Sequence, residues 1–397
     1  MISKYREEFN SAFSGENYQN LKDAIARDFD CEPKFRIAET PFFISKTLKD
    51  QLIEGCNDVI AFIKRDGFNK LTNKSLENNK KVANEDSHTN FMAVDFGICE
   101  ENGHTIPKLI EVQGFPSLFN FQNNLFEKFK EVYPFLASFT PYVNGASQEE
   151  YLGILRDVIC NNHPTENVIL LEIEPDNQPT KIDFDYCKRD LGVTPVCVTE
   201  LIKKGKQLFY KNKNGQEILV KRIYNRVIFD ELDARTDLKL QFSFTDDLDV
   251  EWAGHPNWFF RISKFILPLL KGKYFIDTIL LSDLEQIPED LENYVLKPLF
   301  SFSGAGVIFH VTKADIEAVV DKENYILQKK VHYLPILQAP DQKIKVEVRM
   351  LCTWKDDDEN PIILSNLVRL SRGEMIGVKY NQDKDWVGGT LGLFEKE

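Results

Sequence analysis

The pattern of apolar and polar positions divides the chain into stretches of different texture. Within residues 48–65, Leu52, Ile53, Cys56, Val59, Ile60 and Ile63 recur at helical spacing, and residues up to about 85 read as mostly helical. Residues 69–86 turn polar and charged, which predicts a mobile surface loop. Two strand-like runs follow at 91–98 and 108–114, joined by the hairpin signal Glu100-Glu-Asn-Gly-His104. Phe115-Pro-Ser-Leu-Phe-Asn-Phe-Gln122 then leads into a helix over 125–133. From about Glu149 the texture becomes β-α-β: a helix at 149–161, a continuously apolar strand at 167–173, a helix at 182–191 and a strand at 194–198. That order predicts a small open α/β lobe. A hairpin turns at Asn214-Gly215, and an apolar strand over 223–229 closes the lobe.

The remaining stretch carries a helix-like segment at 256–270, short strands at 294–296 and 307–310, and a helix at 313–321. After these come an apolar strand turning polar at 325–331 and two alternating strands at 345–352 and 362–370. A chain of 397 residues exceeds one simple core. The expected division is 1–148 for a helical region plus the first hairpin, 149–235 for the α/β lobe, and 236–397 for the rest. The expected class is α/β with α+β elements.

Composition changes this picture in two ways. The net charge of −13 disfavours a nucleic-acid partner, because binding a phosphate backbone needs a basic surface. It leaves room for a local cationic pocket. The seven cysteines, Cys31, Cys56, Cys99, Cys160, Cys187, Cys197 and Cys352, are scattered, odd in number and form no CxxC pair. That pattern speaks against a disulfide scaffold or a thiolate zinc site and fits a reducing compartment. Met1-Ile-Ser-Lys-Tyr-Arg-Glu-Glu lacks an apolar signal core, and no run has the length of a membrane span. The expectation is a soluble cytoplasmic protein with no membrane partner.

Candidate chemistry gathers in Tyr294-Val-Leu-Lys-Pro-Leu-Phe-Ser-Phe-Ser-Gly-Ala-Gly-Val307. Strand, lysine, small-residue loop, strand is a way to lay a cation and bare N–H groups over a polyphosphate, although a Gly-rich hairpin is more often an ordinary turn. On the earlier hairpin, Asp95 falls opposite Glu111, and alternation puts Glu111 and Gln113 on one face. Two carboxylates and an amide there suit a hard cation such as Mg²⁺, or a solvent-facing surface, or a pair neutralised by an arginine. Arg226, inside an apolar strand, is either a structural ion pair or a fork for a substrate carboxylate. Glu347 and Arg349 share one strand face, and Arg369 and Arg372 end the strand that pairs with it.

In sequence order, two isolated lysines (Lys264, Lys297), a small-residue loop, an apolar strand suited to a nucleobase and an arginine strand resemble the ATP-grasp superfamily. Most members carry a Glu-x-Asn metal motif after the arginine strand. Here the nearest match, Ile110-Glu-Val-Gln113, lies far upstream. That permuted order resembles the branch containing eukaryotic-type glutathione synthetase and glutathionylspermidine-synthetase-like proteins, from about Phe91 to the end of the chain. The resemblance implies an ATP-grasp fold and an ATP- and Mg²⁺-dependent carboxylate–amine ligase that works through an acyl phosphate. Under it, Lys264 and Lys297 hold the α- and β-phosphates. Ser301, Ser303, Gly304, Ala305 and Gly306 form a closing loop, and Gln328, Lys329, Lys330 and Val331 meet the adenine. Glu111 and Gln113 ligate Mg²⁺, with Asp95 or Glu347 supplying a further carboxylate. Arg349 faces the γ-phosphate, and Arg226, Arg369 or Arg372 fixes the carboxylate of a small anionic or peptide-like substrate. The chain departs from the family in Gln113, which replaces an Asn, and in a loop with serines where the glutathione synthetases have an acidic metal ligand. A kinase of a small acceptor and a nucleotide-binding protein without turnover stay open as alternatives. Superfamily members are often dimers, so a homodimer is open as well.

Overall fold

A computed structural model describes residues 2–77, 81–301, 304–373, 376, 381 and 383–396. Its centre is an antiparallel sheet in the order Gly388–Thr390, Ile362–Ser371, Lys343–Thr353, Phe91–Glu101, His104–Gln113, with Leu337–Gln338 added to the Lys343–Thr353 strand. Long alternating strands make this sheet. Val346, Val348 and Met350 are buried toward one core, while Glu347 and Arg349 sit on the face between them. As the alternation requires, Asp95 pairs directly with Glu111 on one side and with Arg349 on the other, and Glu347 pairs with Arg369. A bulge between Asp95 and Phe96 bends the hairpin at this point.

The helix Lys46–Lys64 covers the apolar side of the sheet. Ser45 caps it by accepting the Leu48 N–H, and Leu48, Leu52, Cys56, Val59, Ile60 and Ile63 face the core. Each such side chain contributes roughly 1.5–3 kcal/mol on full burial. Gly55 faces the Phe96 ring, which a Cβ there would meet at 2.8 Å, so the helix approaches as closely as it does only with glycine.

The α/β lobe is a fully parallel sheet in the order Glu251–Ala253, Arg222–Asn225, Val168–Glu172, Thr194–Cys197. Its first strand lies beyond residue 235. Helices Gln148–Cys160 and Lys181–Leu191 flank it; the first carries a capping box at Ser147 and Glu150. Phe91, Ala93, Leu351 and Leu364 from the central sheet pack with Tyr151, Leu155, Val168, Leu170 and Tyr224, so the lobe and the sheet share a core. A third unit, Thr278–Leu280, Tyr325–Lys329 and Tyr294–Pro298, is antiparallel and has its own small cluster of Leu281, Leu296, Val311, Ile316 and Leu327. The whole is a mixed α/β fold, as the sequence predicts.

Several elements differ from expectation. The 69–86 loop contains two short helices, Phe68–Thr72 and Lys74–Glu77, and Val82 is buried with its N–H and C=O both bonded by the Asn257 side chain. Glu85 pairs with Arg261. An apolar anchor and a buried arginine partner therefore fix part of a segment whose average composition is polar. The helix-like segment at 256–270 breaks into a helix, Pro256–Arg261, and a 3-10 turn, Lys264–Leu269, because Ser263 caps a new start and Pro268 cannot continue an α-helix. The strand expected at 307–310 is a single bridge between Leu296 and Ile308.

Candidate functional site

One cavity of about 1350 Å³ runs between the central sheet, the α/β lobe and the three-stranded unit. A single small ligand ordinarily fills roughly 300–1,000 Å³, so this cavity has room for two reactants side by side.

One end is cationic below and apolar above. Lys264 starts the 3-10 turn and is 6% exposed; its Nζ lies 2.8 Å from Glu111 Oε1 and donates to the Ser301 carbonyl at 2.7 Å. Its position is fixed by Gly114, whose N–H donates to Ile262 O at 2.7 Å. A Cβ at residue 114 would meet Trp258 O at 2.4 Å, so the hairpin end and the lysine segment touch through bare backbone. Lys297, on Tyr294–Pro298, donates to Gln328 Oε1 at 2.7 Å. Burial lowers its ammonium to about 8, although Glu111 pulls the other way. Burial alone would raise Glu111, but Lys264, Lys297 and Arg349 more than offset it and hold the carboxyl well below its usual range. Ile276, Val295, Val307, Phe309 and Val331 supply an apolar lining above. The Lys329 and Lys330 N–H groups already donate to Asp277 O and Asn293 O, and the Lys329 ammonium pairs with Asp277. Among the described residues no protein acceptor reaches the Val331 N–H, which leaves it available to a ligand edge. Gly304, at φ +72°, lines the cavity; Ala305 and Gly306 are not part of its lining, and Ser303 lies outside the described residues.

The middle is an ion lattice on the sheet floor. Arg349 forks onto Asp95 with two bonds of 2.7 Å and donates to Ser117 Oγ at 3.0 Å. Arg369 bridges Asp95 Oδ2 and Glu347 Oε1, and Tyr333 donates its hydroxyl to Glu347 Oε2. This corrects the expectation for Asp95. Cross-strand register hands its carboxylate to two guanidinium groups, which already neutralise it, so its place is in an ion lattice and not in an open cluster of carboxylates. Arg372 differs too: it follows the end of the strand, forks onto Asp341 and does not line the cavity.

The far end lies at the C-terminal edge of the parallel sheet, where open α/β sheets place ligands. Arg226 follows the Arg222–Asn225 strand and is 5% exposed, between the Phe115 and Phe184 rings at 5.4 Å each. It donates to Pro116 O, and its Nε is buried without a partner. Beside it in the cavity wall stand Gln122, Glu172 and Gln178. Burial pushes the Glu172 carboxyl up to about 8, so it is mostly neutral at pH 7. Glu172, Gln178 and Ser117 escape the sequence reading. A lone glutamate ending an apolar parallel strand was the signal available for Glu172; for Ser117, in a loop, there was none.

A bound Mg²⁺ needs oxygen donors. Among the described residues no group of three His, Cys, Asp or Glu side chains is placed to hold a metal ion by itself. The four oxygens of Asp95 and Glu347 all have protein donors. Glu111 Oε2 and the Gln113 amide, both on the cavity wall, have none among the described residues. One carboxylate and one amide suit a single Mg²⁺, which commonly completes its shell with waters and substrate phosphates.

No protein-family model and no curated protein sequence matches the chain. Among solved structures it is similar to a glutathione synthetase-like effector from Globodera pallida in its apo form. That match has TM-score 0.60 at 10% identity and covers 96% of each chain. A second match, to a protein described as a gamma-glutamylcysteine synthetase from Methylobacillus flagellatus, has TM-score 0.40 at 12% identity and covers 89% of each chain. Near-complete coverage in the first match fixes the architecture: this chain has the glutathione synthetase-like fold.

Proposed function

We propose that this protein is an ATP-dependent ligase that activates a carboxylic acid as an acyl phosphate and passes the acyl group to an amine, releasing ADP and phosphate. The observation that carries the reading is the arrangement of one continuous cavity. It has two lysines under an apolar shelf at one end, a buried arginine at the other, and arginines 349 and 369 between them. Lys264 and Lys297 neutralise the phosphates, and the apolar shelf with the Val331 N–H receives the base. Glu111 and Gln113 would hold one Mg²⁺, which when bound adds charge neutralisation at the phosphates.

Arg226 fixes the carboxylate of the acid's distal end, with neutral Glu172 and Gln178 as hydrogen-bond partners. The reacting carboxylate then lies near Arg349. As its oxygen attacks the γ-phosphorus, charge builds between two anions, and Arg349 with Arg369 offsets it. Losing one such preorganised donor costs roughly 2.7–4 kcal/mol of transition-state stabilisation. Amine attack on the acyl carbon then expels phosphate.

The test combines a thermal-shift series with a turnover assay. Mg-ATP should raise the unfolding midpoint and Lys297→Ala should abolish the rise. Phosphate release should then require an acid and an amine together. Release with a single hydroxyl acceptor would replace the ligase by a kinase. Tight ATP binding with no turnover on any pair would favour a binding protein, a reading that the single metal carboxylate supports.

A further inference from the structure

The deepest charges in the cavity are arranged in two separate sets. Glu111, Lys264 and Lys297 form the first. Asp95, Glu347, Arg349 and Arg369 form the second, with two carboxylates against two guanidiniums. Asp95 is 1% exposed and Glu347 is 4% exposed, so neither carboxylate could stand there unpaired. Each of their four oxygens receives a protein donor. Asp95 Oδ1 takes Arg349 Nε, Asp95 Oδ2 takes Arg349 Nη2 and Arg369 Nη2, Glu347 Oε1 takes Arg369 Nη2, and Glu347 Oε2 takes the Tyr333 hydroxyl.

A divalent cation recruited by either carboxylate would add two positive charges to a set in which two guanidinium groups already neutralise both acids. The arginines, in contrast, keep donors to spare. Among the described residues no protein acceptor reaches Arg369 Nη1, and Arg369 lines the cavity. Arg349 uses one Nη1 hydrogen on Ser117 and keeps the other. The lattice therefore presents fixed positive charge to the cavity while its acids stay occupied. Across both sets, four cations face three carboxylates.

From this geometry we infer that Asp95 and Glu347 are positioning residues that hold Arg349 and Arg369, and that this arginine pair stands where a second divalent cation would otherwise be required. The nucleotide complex then carries one divalent ion, held on the Glu111–Gln113 side. The inference rests on the nucleotide site proposed above and sharpens it, because it fixes which residues bind metal and how many ions bind.

Manganese replaces Mg²⁺ and is counted by electron paramagnetic resonance as it disappears from the free pool. The full chain is titrated with Mn²⁺ in the presence of saturating non-hydrolysable ATP analogue, with analogue binding measured separately by calorimetry. The expected result is one Mn²⁺ per bound nucleotide. Glu111→Gln should weaken Mn²⁺ about tenfold or more, since losing even a partner hydrogen-bonded to a metal ligand typically costs about 10–100-fold, whereas Asp95→Asn and Glu347→Gln, at side chains that hydrogen-bond neither Glu111 nor Gln113, should leave its affinity within about twofold. Should the Asp95 variant not fold, the wild-type stoichiometry and the Glu347 variant still decide. Two Mn²⁺ per nucleotide, or an Asp95 or Glu347 variant losing as much Mn²⁺ affinity as the Glu111 variant, would overturn the inference while leaving the nucleotide site intact. No analogue binding with or without Mn²⁺ would overturn the nucleotide site itself, and this inference with it.

Discussion

Lys297→Met separates stability from function at a single residue. The Lys297 ammonium sits behind the cavity walls, and loss of hydration lowers it from 10.5 to about 8. At about 1.4 kcal/mol per pH unit, that fall amounts to roughly 3 kcal/mol against the charged form at pH 7. The side chain is only half-buried, so cavity water screens part of this and about 1–2 kcal/mol is the working figure. Methionine keeps the length and removes the charge, and it also gives up the bond to Gln328, worth about 0.5–1.5 kcal/mol. The ligand-free variant is therefore expected to be as stable as wild type at pH 7, or up to about 1 kcal/mol more stable.

The pH dependence has a definite sign. Between pH 8 and 10.5 the unfolded chain holds a proton at residue 297 that the folded protein has released, so wild-type stability gains a rising contribution across that window. The variant lacks it, so wild type should gain on the variant as pH climbs from 8 to 10.5 and end at least as stable. ATP at one hundred times its dissociation constant should stabilise wild type by about 2.7 kcal/mol and the variant by almost nothing. Urea unfolding at pH 7 and pH 10, with and without ATP, reads both effects. A variant clearly less stable than wild type at pH 7 without ligand would mean that the Lys297 charge stabilises the folded state, and one that keeps the ATP-induced stabilisation would mean that Lys297 does not hold the nucleotide.

Three further outcomes follow from the site. Arg226→Met should leave ATP binding within about twofold, because the two ends of the cavity are separate, while abolishing acid-dependent phosphate release; a loss of about 2–5 kcal/mol in transition-state binding is typical for a buried charged contact and is read from kcat/KM. Glu172, raised to about 8, holds a proton in the folded protein that the unfolded chain has lost above its usual carboxylate range. Its contribution to stability therefore declines from about pH 4.5 to pH 8, and Glu172→Gln should flatten that slope in a series of unfolding measurements. Gly114→Ala drives a methyl into the Trp258 carbonyl at 2.4 Å and should both lower the unfolding free energy by about 1–3 kcal/mol and weaken ATP binding by shifting Lys264 away from Glu111.

The sequence was most informative where a period repeats over many residues. Alternation along 345–352 and 362–370 was enough to place Glu347 and Arg349 on one face, and the turn near Gly103 was enough to set Asp95 against Glu111. It could not say which neighbour would win Asp95. That depended on Lys343–Thr353 pairing on the far side of Phe91–Glu101, a contact between residues more than 250 apart in the chain. Arg372 misled for the opposite reason: one residue past the strand end at Ser371, side-chain direction follows the local turn, not the strand period. Ser117 and Gln178 lie in irregular segments where no period exists to be read, and they join the cavity wall through tertiary packing alone.

Every role proposed for the cavity requires its lysine end to bind ATP. Isothermal titration of Mg-ATP into the wild-type protein tests this most directly, with Lys264→Ala and Lys297→Ala alongside. The prediction is saturable binding of one nucleotide per chain, weakened at least about tenfold in each variant, as the loss of about 1.4 kcal/mol or more of charge-assisted contact requires. Absence of binding by the wild type up to millimolar ATP, or equal binding by all three proteins, would contradict it.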